Sequence, residues 1–374
     1  VNGMGTPLDR RATFAAYALF LAVVALAPLV LDGFWLNRLA KYLVFGMLGI
    51  AVAMSWGYAG ILNLGQGLFF GLGAYMLAMS LKMASPTSLR HGGANPVPDF
   101  MLSNAQPGAT VDLCCINPGA FLWQPFQSQG FGLAMGLVLP ALVAFVLGAL
   151  LFRKRIAGVF VSIVTLALVL LVRLLLVDAQ PITNGFNGLS DLAWLRIAGH
   201  ELDPYGVSTY YLVAGVLAVV LVGARALLAT RAGVILRATS GDPQRARYLG
   251  FDVAHYQTFF FALSAAIAAV AGMLYVVVAE FASPTFMDLS FSITMVVWAA
   301  VGGRASLLGA CIGAILINML EATASETQSL VEAWRVIVGL TFVLVVLYLP
   351  KGMAGWAHDL LERIGQRRAG GGAP

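Results

Sequence analysis

Asn63 and Gln66 are the first side chains in this sequence whose type and spacing could do chemistry. They stand three apart in GYAGILNLGQGLFFGLGAY, residues 57–75, a stretch with six glycines and no charge. A primary amide in apolar surroundings is costly unless it is hydrogen-bonded. Two roles fit: the amides tie a break between two helices, or they line a route for a solute. Ser55, Ser162, Thr165, Asn184 and Asn187 are of the same kind, neutral donors and acceptors set in apolar sequence. The seven together are the candidate solute pathway. Such groups can hold a neutral or zwitterionic solute by hydrogen bonds alone.

Other chemistries lack their residues. His91, His200, His255 and His358 are scattered, and Cys114, Cys115 and Cys311 show no metal-ligand spacing. The cysteines read as ordinary thiols, and neither a catalytic nor a metal site is expected. There is no G-x-x-x-x-G-K-[ST] phosphate loop, so ATP is not bound by that route. A membrane enzyme would need His, Asp or Glu clustered near an interface, and the sequence has no such cluster. Arg173, Glu280 and Glu321 fall near expected outer helix ends, where snorkelling or capping accounts for them. Low intramembrane charge argues against an ion channel or proton-coupled pump. A carrier working alone would leave a charged or carbonyl-rich midplane site.

The elements that must position these residues are membrane spans. The chain of 374 residues is 60% hydrophobic and 10% charged, with a mean hydropathy of +0.87. Soluble domains carry about 25% charged residues, and about 20 apolar residues cross a bilayer. Ten spans are expected, near 14–31, 40–58, 66–82, 131–152, 157–177, 208–229, 257–280, 290–302, 306–322 and 334–350, in an all-α polytopic membrane protein. Segments 66–82 and 290–302 are short and glycine-flanked, as in broken or re-entrant helices. The first span lacks a clear small-residue cleavage site and reads as retained.

Basic residues set the orientation. With both termini inside, 15 of the 22 Lys and Arg fall on the inner side, including Arg153–Lys154–Arg155, Arg245 and Arg247. Twelve of the 17 acidic residues fall outside. This satisfies the positive-inside rule. It also explains the net charge of +5 without a nucleic acid partner. The divisions are an inner N-terminal segment 1–13, a membrane domain 14–350 and an inner tail 351–374. Within the membrane domain lie a long outer loop 83–130 and an inner loop 230–256.

The inner loop carries Ser240-Gly241-Asp242-Pro243, a capping residue followed by proline, and then Gly250. That pattern predicts a short helix over about 243–249 that ends at Gly250. A second glycine-rich stretch, VVWAAVGGRASLLGACIGAI at 296–315, echoes residues 57–75. Both lie at an inner turn, as corresponding parts of an internal repeat would. Gly67-x-x-x-Gly71 has the small-residue spacing of close helix packing.

Four stretches in this order resemble the membrane permeases of branched-chain amino acid and urea ABC importers: GYAGILNLGQGLFFGLGAY; GVFVSIVTLAL from Gly158; RATSGDPQRARYLGFDVAHYQTFFFALSAAIAAVAGML; and SITMVVWAAVGGRASLLGACIGA from Ser292. The resemblance covers roughly 40–350. VVWAAVGGRASLLGA, PDFM at 98–101 and QPFQS at 124–128 resemble the urea branch. The resemblance implies a second permease subunit, two ATP-binding subunits that hold the ATP, an outer solute-binding protein, and a multi-pass place in a bacterial inner membrane with lipid around it. The chain itself would hold no cofactor. Its capped helix would couple to the ATPase through Asp242, Arg245, Arg247 and Gly250, and the solute implied is urea, with branched-chain amino acids or short amides as the alternative.

Overall fold

The computed structural model describes residues 7–86, 97–101, 118–156, 158–197, 199–326, 339–340, 343, 347 and 352–355. Its helices are α1 (Pro7–Leu26), α2 (Gly33–Val52), α3 (Gln66–Met83), α4 (Gln129–Arg153), α5 (Val159–Asp178), α6 (Val207–Ala229), α7 (Arg231–Gly241), α8 (Pro243–Tyr248), α9 (Val253–Ala279), α10 (Leu289–Gly302) and α11 (Leu307–Glu326). A single turn, Gln180–Thr183, follows α5. Among the described residues the only sheet is a hairpin of β1 (Arg196–Ile197) and β2 (His200–Glu201), with Arg196 opposite Glu201.

Nine of the ten expected spans are helical. The tenth, 334–350, lies mostly outside the described residues, as do Cys114, Cys115, His91, His358 and the tail. Among the described residues six helices are long and apolar enough to cross a membrane: α2 with its π turn, α4, α5, α6, α9 and α11. The second helix starts at Gly33 rather than at 40. Asn37 and Arg38 are polar residues inside this added stretch. The buried Asn37 amide donates to the Pro204 and Val278 carbonyls, 2.9 Å each, so the polar residue is accommodated inside the helix.

α2 and α9 form the centre, and small residues let their neighbours approach. A Cβ on Gly73 of α3 would strike the Ala269 backbone, and one on Gly272 of α9 would strike the Phe70 carbonyl. Rings of Phe45, Phe70, Tyr275, Phe286, Phe291 and Trp298 fill the space between α2, α3, α9 and α10, with centroids from 5.1 to 6.3 Å apart. α5 differs. It buries only Val161, Ser162, Thr165 and Val169, a narrow stripe at helical spacing, and leaves its remaining faces to lipid or another chain.

Two elements are short or offset against their neighbours. α3 starts at a break, residues 59–65, where Gly65 packs on Thr165. Thr165 is six residues, about 9 Å, into α5, so α3 begins about that far along α5. α10 has 14 residues, about 21 Å, against a hydrocarbon core of about 30 Å. The chain reaches α10 from the outer side by a descending segment. Glu280 closes α9 in a left-handed conformation. Ala282 pairs with Leu189 through two backbone hydrogen bonds of 2.7 and 2.9 Å. A 3-10 turn, Pro284–Met287, leads to Asp288. Gly67 and Gly71 pack against this segment, at the Phe286 carbonyl, Ser292 and Met287. Their spacing therefore accommodates a descending turn and the start of α10 rather than a second full-length helix.

Candidate functional site

The break after α2 is built by the amides that the sequence singled out. α2 ends in a π turn, Ala53–Tyr58, and Gly60 takes a φ of +70°, which favours glycine. Asn63 Nδ2 donates to Gln66 Oε1 at 2.6 Å, and Gly65 N donates to Asn63 Oδ1 at 2.8 Å. Gln66 Nε2 donates to the Ser264 carbonyl and hydroxyl at 3.0 and 2.9 Å. The Ser264 hydroxyl donates to the Ala51 carbonyl at 2.7 Å. Ser162 Oγ donates to the Leu62 carbonyl at 2.7 Å, and Thr165 Oγ1 donates to the Ser162 carbonyl. Ser55 Oγ points back to the carbonyls of Ala51 and Val52. All five candidates meet at one place, and their side chains bond within the chain.

Asn184 and Asn187 are not part of this cluster. They lie at the outer end of α5, where Asn184 takes a left-handed φ of 48°. Its Nδ2 caps the Gly188 carbonyl at 2.7 Å, and its Oδ1 accepts from Gln180 and Asn187. The seven candidates thus form two groups at opposite ends of α5. Ser264 completes the inner group and went unnoticed in the sequence. It sits in the run FFFALSAAIAAV, and nothing short of the folded contact distinguishes it from an ordinary small helix residue.

The two glycine-rich stretches meet where α2 and α10 end. A Cβ on Gly57 would strike the Arg304 carbonyl, Tyr58 OH donates to the Ala305 carbonyl at 2.8 Å, and the Arg304 guanidinium lies 5.0 Å from the Trp56 ring. The echo therefore corresponds to two turns in contact.

The capped inner helix forms as its residues require. Asp242 Oδ1 accepts from the backbone N–H groups of Gln244 and Arg245 at 3.1 and 3.0 Å, with Pro243 at the first helical position. Gly250 closes the segment at a φ of +85°. Arg245 pairs with Asp242 at 2.9 Å. Arg247 joins Arg153, Arg155, Phe251 and Asp252 around an open cavity of about 280 Å³. Asp252 then caps α9. The backbone N–H and the imidazole of His255 hold its carboxyl below the usual carboxylate range.

The expectation for 230–256 needs two amendments. Residues 231–241 are a helix too, with Gly233, Leu236 and Thr239 forming a buried stripe. The basic residues there disguised its three-residue periodicity. The tip of α8 also exposes two large side chains, Tyr248 at 89% and Leu249 at 76%.

Arg173 also departs from its expected role. It lies within α5, five residues before the end, and its Nε is 2.6 Å from Asp288 Oδ1. Near that helix end its partner is a side chain of this chain, so the pairing with Asp288 accounts for it more directly than snorkelling does. Glu280 lies just past the last residue of α9, where it accepts a 2.8 Å hydrogen bond from Trp194 Nε1. Among the described residues there is no cluster of His, Cys, Asp and Glu that could hold a metal.

Known proteins share this sequence pattern. Residues 34–346 match the family described as the permease component of branched-chain amino acid transport systems. The high-affinity branched-chain amino acid transport system permease protein LivM of Salmonella typhimurium is 25% identical over 92% of this chain and 76% of its own length. The Escherichia coli protein of the same name is 26% identical over 86% and 70%. The ribose import permease protein RbsC of Escherichia coli is 26% identical over 50% of this chain and 59% of its own length. No solved structure matches. With 313 consecutive positions, 34–346, matching the family and membrane helices along that range, the chain belongs to the family of permease components of branched-chain amino acid transport systems.

Proposed function

We propose that this chain is one of two permease subunits of an ABC importer and carries a small neutral or zwitterionic solute, urea in first place, across a bacterial inner membrane. A second permease would close the path, and two ATPase subunits would bind and hydrolyse ATP on the inner side. A binding protein would deliver solute on the outer side, and this chain would need no cofactor of its own. The observation that carries the reading is α8. It is a capped helix of six residues on the inner face, held between α7 and α9, with exposed Tyr248 and Leu249 at its tip. Such a knob suits an apolar groove on an ATPase subunit. Asp242 and Gly250 would fix its two ends, and Arg245 and Arg247 would orient it.

Urea is favoured by VVWAAVGGRASLLGA and by the PDFM and QPFQS stretches, which resemble the urea branch. A second reading, a branched-chain amino acid, is favoured by the LivM relatives. The deciding experiment is uptake of labelled urea and labelled leucine, in competition, by cells with and without this chain. Loss of urea uptake alone supports the first reading. Loss of leucine uptake alone supports the second. Loss of neither rejects both solutes.

A further inference from the structure

Four buried side-chain polar atoms find no hydrogen bond among the described residues: Tyr75 OH, Arg173 Nε, Ser292 Oγ and Trp298 Nε1. Buried polar groups are nearly always satisfied, and each exception calls for an explanation such as a ligand or water. Two of these four, Arg173 Nε and Ser292 Oγ, adjoin one short segment, 284–292. Arg173 lies against Asp288. Ser292 is one turn along α10 on the same side as Asp288, and its hydroxyl faces Gly67.

The depth of this segment follows from two helices independently. Arg173 is 14 residues from the inner start of α5, and Asp288 precedes the 14 residues of α10. Each count places the pair about 21 Å from the inner helix ends, inside the hydrocarbon core. A charged side chain there is costly and marks a functional site by default. The pair is not closed off: the Arg173 side chain is 36% exposed and that of Asp288 29%. The Nε N–H lies out of line with the carboxylate despite the 2.6 Å contact. Among the described residues no hydrogen bond engages the two terminal guanidinium nitrogens. A seam of this kind facing lipid would leave charge in hydrocarbon; facing a solute path, it presents donors beside an acceptor.

We propose that Arg173, Asp288 and Ser292 form a binding site, beside the last two turns of α5, for a solute that carries an oxygen acceptor beside N–H donors. Arg173 donates to the solute oxygen, Asp288 accepts from its nitrogen, and the Ser292 hydroxyl supplies a further hydrogen bond. An α-amino acid and an amide such as urea share this chemistry. The inference rests on the permease reading and names the residues that hold its solute.

The test uses the complete importer reconstituted in vesicles, with labelled urea and labelled leucine as probes and co-purification of the partner subunits as the assembly check. Ser292→Ala is the first variant. It removes a hydroxyl that has no partner, so a merely structural site is unharmed by it; a solute site shows at least a threefold higher half-saturation concentration. Arg173→Met with Asp288→Leu is expected to cut uptake at least tenfold for either solute. Arg173→Gln with Asp288→Asn separates the two: leucine uptake falls at least tenfold because both charges are gone, whereas urea uptake stays within threefold. The swap Arg173→Asp with Asp288→Arg keeps an ion pair, and full rescue by it would assign the pair to packing and overturn the proposal. Wild-type half-saturation in Ser292→Ala together with wild-type uptake in the apolar pair overturns it as well. A wild-type complex that assembles and imports neither probe overturns the permease reading, and this site with it.

Discussion

Gln66 on α3 and Ser264 on α9 are joined twice, through the Ser264 carbonyl at 3.0 Å and its hydroxyl at 2.9 Å. The same hydroxyl continues to the Ala51 carbonyl of α2, so three helices are tied at one level beside the break. Gln66→Leu should orphan Asn63 Nδ2 and take away the donor to Ser264, at about 1–3 kcal/mol for each buried group left unpaired. Ser264→Ala should cost less, because Gln66 still reaches the carbonyl. Thermal unfolding of the purified chain in detergent checks the order: both variants melt below wild type, Gln66→Leu the lower. Equal midpoints for Gln66→Leu and wild type would show that the tie contributes nothing.

Close helix crossing at Gly272 makes a second expectation. A Cβ there meets the Phe70 carbonyl, whereas Gly223 on α6 has nothing within 4 Å. Gly272→Ala should destabilise by about 1–3 kcal/mol through overpacking. Gly223→Ala should stabilise by up to about 1 kcal/mol, the ordinary helix preference for alanine. The two melting shifts are expected to have opposite signs.

Lys82 offers an asymmetry. Its side chain is 4% exposed, while its partners Asp99 and Asp191, at 3.2 and 3.4 Å, are about half exposed. Lys82→Met leaves two carboxylates that water can reach. Asp99→Asn with Asp191→Asn leaves a buried ammonium without a counter-charge, the costlier way to break such a pair. The double variant should therefore melt below Lys82→Met, and the reverse order would place the burden on the carboxylates.

Much of this architecture was legible in the sequence because the bilayer simplifies the signal. Long apolar runs and the basic inner clusters located nine helices, and Asp242-Pro243 with Gly250 located α8 through local capping chemistry alone. What escaped depends on partners far away in sequence. Asn37 inside α2 is tolerated because two carbonyls, 167 and 241 residues away, accept from it. Arg173 read as a snorkelling end because its partner Asp288, 115 residues on, ends a segment whose position is set by packing on Gly67 and Gly71. The amides at 63 and 66 left two roles open, and only the folded position of Ser264 shows how they are bonded.

The caps of the inner face can be tested for coupling. Asp242→Ala removes the acceptor of two N–H groups at the start of α8, about 1 kcal/mol of helix stability. Asp242→Asn keeps that acceptor. If α8 transmits force, the alanine variant should hydrolyse ATP with a reduced response to solute and show reduced uptake, and the asparagine variant should recover most of both. Reversing Arg245 and Arg247 to Glu should uncouple hydrolysis from uptake while the chain remains in the membrane; unchanged uptake would remove α8 from the mechanism. The pH dependence follows from Asp252, whose carboxyl is held below the usual range by His255. A lowered folded value means that its contribution is fully present above the ordinary carboxylate pKa, about 3.9. That contribution is lost as pH falls through the lowered value. From pH 6 to 8 the α9 cap therefore stays ionised, and the ratio of ATP hydrolysed to solute imported should be no more pH-dependent in wild type than in Asp252→Asn. A difference between them across that range would overturn the assignment of the α9 cap to its ionised form throughout.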